Sequence, residues 1–115
     1  MKIPVDTDLF TLFIEESQIF EKTRALLWQY LESWYADEPE QFIESLWADF
    51  ETVMRTYRIE NTMVSFNKNF NFEPPMDTIT CRLTISDAED SYCTSYKATF
   101  DFDLDVLDDT LTDGG

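Results

Sequence analysis

From Ser91 to Asp105 the chain carries two alternating patterns at once. Tyr92, Tyr96, Ala98, Phe100, Phe102 and Leu104 are apolar at even positions, with Thr94 the polar exception. Cys93, Ser95, Lys97, Thr99, Asp101, Asp103 and Asp105 fill the odd ones. Successive side chains of a strand point to opposite faces, so period two predicts one buried face and one wet face. A chain with such a segment needs at least one further strand beside it and an apolar layer beneath.

Both are legible upstream. Ile79, Cys81, Leu83 and Ile85 alternate with Thr80, Arg82 and Thr84, and Asp87-Ala88-Glu89-Asp90 supplies the turn between the two strands. In a hairpin, residues opposite each other share a face. That condition is met by pairing Ile85 with Tyr92, Leu83 with Thr94, Cys81 with Tyr96 and Ile79 with Ala98. An earlier strand is expected from Val64, Phe66, Phe70 and Phe72, alternating with Ser65, Asn67, Asn69 and Asn71. Lys68 interrupts its apolar face at a bulge or an edge, and Glu73-Pro74-Pro75-Met76-Asp77 turns the chain.

Before residue 60 the hydrophobic period is helical. Asp6, Thr7 and Asp8 offer capping oxygens ahead of Leu9 and Phe10, so a helix is expected to start near residue 8 and to break near Ser17. Beyond the break, Phe20, Leu27, Trp28, Leu31, Trp34 and Tyr35 form one stripe. Ile19, Leu26 and Tyr30 widen it to an arc of about 200°. Either this helix is wedged between two layers or its aromatic edge, through Trp28 or Tyr30, meets a partner or a second copy. Asp37-Glu38-Pro39-Glu40 resembles a capping box with proline in the first turn, opening a second helix. Its residues Phe42, Ile43, Leu46, Trp47, Phe50, Val53, Met54 and Tyr57 span about 140° with Phe50 near the centre, and Glu40, Glu44, Asp49 and Glu51 lie outside. Arg55 and Arg58 are placed at its C-terminal end, and Asn61 is the candidate for the left-handed residue beyond.

The expected architecture is α+β: two N-terminal helices packed on one face of a three-stranded antiparallel β-meander. It forms a single domain over residues 1–107, followed by an acidic frayed tail over 108–115. Length and composition support one core, since 115 residues include ten Phe, five Tyr and three Trp. No apolar run reaches the roughly 18 residues of a membrane span, and Met1-Lys2-Ile3-Pro4 leads into acidic residues unlike a signal peptide, so a cytoplasmic protein is expected. Cys81 and Cys93 fall on opposite strand faces and read as reduced thiols.

The same residues exclude much chemistry. Glycine occurs only at 114 and 115, which removes glycine-rich phosphate loops and the nucleophile elbow; histidine is absent, which removes His triads and His-ligated zinc. Asp101-x-Asp103-x-Asp105 imitates the opening of a calcium loop, yet Val106 stands where that loop needs glycine and Thr112 where it needs glutamate. No enzyme, cofactor or metal is expected.

Charge is the remaining signal. With 24 acidic and 8 basic residues the net charge is −16, well past the magnitude of about 2 to 8 that keeps a small domain soluble. Residues 59–86 carry a net −1, whereas 87–115 hold nine acids against one base, net −8. Such a surface repels nucleic acid and anionic lipid and attracts basic protein. On a strand, Asp101, Asp103 and Asp105 would be spaced by about 6.8 Å, close to two phosphate steps along one DNA strand. The expected function is a non-enzymatic inhibitor or decoy of the DNA-mimic type, as anti-restriction and anti-CRISPR proteins are, that binds a basic nucleic-acid-binding surface such as that of a nuclease. The partner-binding residues would be Asp101, Asp103, Asp105, Asp87, Glu89, Asp90, Asp108 and Asp109. The rivals are an immunity protein or antitoxin against a cognate basic toxin, a small acidic dimeric adaptor, and a solvated edge whose charge merely discourages strand addition.

Overall fold

A computed structural model describes residues 1–113. Its elements run α1 (Thr7–Ser17), α2 (Ile19–Asp37), α3 (Pro39–Leu46), α4 (Phe50–Thr56), β1 (Arg58–Asn69), β2 (Met76–Ser86), β3 (Cys93–Phe100) and β4 (Val106–Asp113). The fold is α+β, helices first and then an antiparallel meander in the order β1-β2-β3-β4.

The helical boundaries follow local chemistry. Asp6 caps α1, its carboxylate accepting from the amides of Asp8 and Leu9 at 3.0 and 3.1 Å. The expected break at Ser17 is present, with Gln18 left-handed at φ 53°. Two expectations about the next helix fail. Asp37 ends α2 instead of capping α3, and Glu38 at the α3 N-cap makes no side-chain cap, so no capping box forms, although Pro39 does open the helix. Nor does the helix run through to Tyr57. Trp47 turns left-handed at φ 66°, and the Asp49 carboxylate accepts from the amide of Thr52 at 2.9 Å, starting α4. Asp competes for backbone amides and favours a cap over a helix interior, so the expected helix is divided at Asp49, on its polar side. The Thr52 hydrogen bonds hold the Asp49 carboxyl below its ordinary pKa.

The sheet has one strand more than expected and a different register. Ile85 lies opposite Thr94, Leu83 opposite Tyr96, Cys81 opposite Ala98 and Ile79 opposite Phe100. This is a two-residue slip from the sequence pairing, and it preserves every face because the side-chain period is two. β1 begins at Arg58, which therefore leaves the helix end and forms an ion pair with Asp90. Asn61 is a strand residue opposite Leu83, its amide oxygen accepting from Arg24 at 2.8 Å, and the bulge falls between Asn61 and Met63. Lys68 is on the edge strand, bound to Asp77 at 2.8 Å. Phe70 and Phe72 lie beyond the strand in the following turn, exposed rather than facing inward.

The core is layered. Ile79, Cys81, Leu83 and Ile85 of β2 and Tyr96, Ala98 and Phe100 of β3 bury against Ile19, Leu27 and Leu31 of α2. α3 and α4 also pack on α2 and join the same core through Phe42, Leu46 and Val53: Phe42 contacts Trp34 and Tyr35 with ring centroids 5.1 and 5.0 Å apart, and Trp28 meets Phe50 at 6.2 Å. Of the wide arc of α2, Ile19, Leu27 and Leu31 are fully buried, while Phe20, Leu26, Trp28, Tyr30, Trp34 and Tyr35 are half-buried, Tyr30 packing on Tyr96 at 5.9 Å. Cys81 is buried and Cys93 exposed, both free, as opposite faces require.

Residues 106–113 are a strand instead of a frayed tail, and Gly114 and Gly115 lie outside the described residues. Val106, Thr110 and Thr112 have high strand propensity, and β4 pairs with β3 from Phe100–Val106 to Thr94–Asp113. Among the described residues no helix is long and apolar enough to cross a membrane.

Candidate interaction surface

The largest correction concerns Asp101, Asp103 and Asp105. They form no strand row but the tight connection between β3 and β4. The Asp101 carboxylate accepts from the amides of Asp103 and Asp105 at 2.9 and 3.0 Å, and the Asp101 amide donates to the Asp105 carbonyl at 3.0 Å. Aspartate stabilises turns by binding the backbone two residues on, and that preference overrides the alternation. Leu104 accepts a left-handed φ of 67° there, an unfavourable conformation for a residue with a Cβ. It is held by packing of its half-buried side chain on the core. Consequently the spacing of about 6.8 Å argued for a strand does not exist at these positions.

The expected site residues separate into two groups. Asp101, Asp103, Asp105, Asp108 and Asp109 gather at one end of the sheet, with no basic residue between Lys97 and the last described residue. Asp87, Glu89 and Asp90 lie at the other end of β3, about 25 Å away for eight residues of strand. Within the second group Asp87 is occupied by the amides of Ser91 and Tyr92 and Asp90 by Arg58, which leaves Glu89 facing solvent. Within the first, Asp101 holds the turn. Asp109 points to the helical face, where it accepts from the Tyr96 hydroxyl at 2.6 Å. Burial, that hydrogen bond and the Asp109 charge together drive the Tyr96 phenol far above its ordinary pKa. Asp103, Asp105 and Asp108 are exposed and in no ion pair among the described residues.

Sequence reasoning missed a second feature at this same end. Phe102, placed on the buried face by the alternation, is 60 % exposed in the turn. Its ring meets Phe66 of β1 at 6.1 Å, and Phe66 in turn meets Phe10 and Phe13 of α1 at 4.7 and 5.3 Å. An Asp-rich segment after Phe100 carries the turn signal that would have exposed this ring.

No protein-family model, curated protein or solved structure matches this chain. Among the described residues no group of three or more His, Cys, Asp or Glu side chains is arranged to hold a metal ion. What the surface offers chemically is unneutralised carboxylate: ion pairs among the described residues are Arg58–Asp90 and Lys68–Asp77, against 24 acids in the chain.

Proposed function

We propose that this protein is a non-enzymatic acidic inhibitor or decoy that occupies a basic nucleic-acid-binding surface of a target protein. The observation that carries the reading is the acidic end of the sheet, where Asp103, Asp105 and Asp108 stand exposed and, among the described residues, in no ion pair. Desolvating such carboxylates is unfavourable unless a partner supplies Lys or Arg, so the surface selects for basic partners and against nucleic acid itself. The mimicry rests on clustered charge rather than on regular phosphate spacing.

The division of the acids between two ends of the sheet favours a second reading, an immunity protein or antitoxin that uses one compact epitope against a cognate basic toxin. The two are separated by competition. Asp103→Asn, Asp105→Asn and Asp108→Asn together remove three charges and leave Asp101 to hold its turn. For a decoy, a basic nuclease captured from lysate at low salt should lose affinity for this variant, show a shallower salt dependence, and no longer be displaced from duplex DNA. Displacement of DNA that is undiminished in the triple variant would refute the decoy reading at this end of the molecule.

A further inference from the structure

Helix α1 has no buried residue. Its apolar side chains, with those of β1 and the β3–β4 turn, border two adjoining hollows of about 330 and 280 Å³ separated by Phe13 and Phe66. One is floored by Ile79 and walled by Phe102; the other is closed by Val5, Leu9 and Phe10. Leu9 is 64 % exposed. Contiguous exposed apolar surface with hollows in it marks a candidate recognition groove.

The rim decides what fits. Asp6 lines one hollow; the other is walled by Phe102, whose neighbours in the turn are Asp101 and Asp103. Lys68, at the same end of the sheet, is already bound to Asp77. A second copy of a chain with net charge −16 would bring carboxylate rims together, which like-charge repulsion opposes. An anionic membrane is opposed for the same reason.

We propose that this groove receives an amphipathic basic segment of a partner protein, two large apolar side chains seated in the hollows and flanking Lys or Arg residues on Asp6 and Asp103. The proposal rests on the reading above that the partner is basic, and it adds that recognition is apolar as well as electrostatic. Buried apolar anchors ringed by polar contacts carry most of the affinity in such sites.

The test uses the full chain and a synthetic helical Leu/Lys peptide, with an all-Lys peptide, a Leu/Gln peptide of the same length and phosphatidylcholine vesicles as comparators. Binding is read by calorimetry, and Leu9→Ser and Phe102→Ser serve as groove variants because both side chains are largely exposed. The Leu/Lys peptide should bind about tenfold or more tightly than either comparator peptide and lose about tenfold with each variant, the melting temperature staying put. Asp6→Asn with Asp103→Asn should weaken it and flatten its salt dependence. Equal binding of the all-Lys peptide would overturn the groove while leaving the decoy reading intact. Equal binding of the Leu/Gln peptide or of the vesicles, or a dimer in sedimentation that Leu9→Ser dissolves, would also overturn it. Leu9→Ser and Phe102→Ser leave every carboxylate in place, and Asp105→Asn with Asp108→Asn leaves the groove and its Asp6 and Asp103 in place, so loss of peptide binding in the first pair and loss of DNA displacement in the second let the two ideas fail separately.

Discussion

Replacing Phe42 by Ala should be the most damaging truncation in the helical layer, and comparison with Phe50 makes the reasoning quantitative. Phe42 is fully buried and touches Trp34, Tyr35 and Phe50 with ring centroids 5.1, 5.0 and 6.4 Å apart. Removing a buried phenyl costs about 3–5 kcal/mol in transfer and cavity terms. Close edge-to-face neighbours each add about 0.5–1.5 kcal/mol beyond area, so the upper part of that range is expected. Phe50 is only partly buried, and its ring contacts with Trp28, Tyr35 and Phe42 lie at 6.2, 6.2 and 6.4 Å. With part of its ring still exposed and its ring neighbours farther away, Phe50→Ala should cost less, about 2–3 kcal/mol. An uninterrupted helix would reverse the order, because Phe50 sits at the centre of the continuous arc. Urea melts of both variants, followed by far-UV circular dichroism and by tryptophan emission, give the two values at a common slope. Equal losses, or a larger loss for Phe50→Ala, would refute the division of the helix at Trp47.

Tyr96 ties its stability contribution to alkaline pH. The folded phenol titrates far above the unfolded value near 10, so folding stability should be intact below about pH 10 and fall as pH rises beyond it. Tyr96→Phe should cost about 1.5–3 kcal/mol at neutral pH by stripping a half-buried carboxylate of its donor, and should shrink that alkaline loss; an unchanged pH profile in the variant would exclude the Tyr96–Asp109 bond as its source. The cysteines should differ in reactivity. Cys93 should react with a thiol reagent at once, whereas Cys81, buried with its thiol pKa raised by desolvation, should react only on unfolding; simultaneous labelling in native buffer would contradict the core assignment.

What could be read from the sequence divides along the reach of each interaction. The alternation in 79–85 and 92–100 and the stripe from Phe20 to Tyr35 are set by burial of whole faces, and they reappear in β2, β3 and α2. Asp6 and Pro39 act within one helical turn and mark the starts of α1 and α3. Competition between a local and a global preference was not legible. Asp49 and Asp101 each lie inside a periodic pattern, and each breaks it by accepting backbone hydrogen bonds. One misplaced turn at Asp101 moved Phe102 out of the core, hid β4 and turned a presumed carboxylate row into a connection. The two-residue slip of the β2–β3 hairpin was invisible for a different reason: both registers bury the same faces, and only turn geometry separates them.

The fourth strand has a consequence for cooperativity. Thr94 and Tyr96 are both buried in β3, and the acceptors for their hydroxyls, the Thr112 carbonyl and the Asp109 carboxylate, both belong to β4. A sheet that stopped at three strands would strand two buried donors, each costing about 1–3 kcal/mol. Against a net stability of about 5–15 kcal/mol for a domain, such a state would be scarcely populated. The edge strand is therefore tied to the centre of the core by two side-chain bonds, and its amides should be protected by several kcal/mol against exchange instead of fraying freely, though less than those of the central strands, which need global opening.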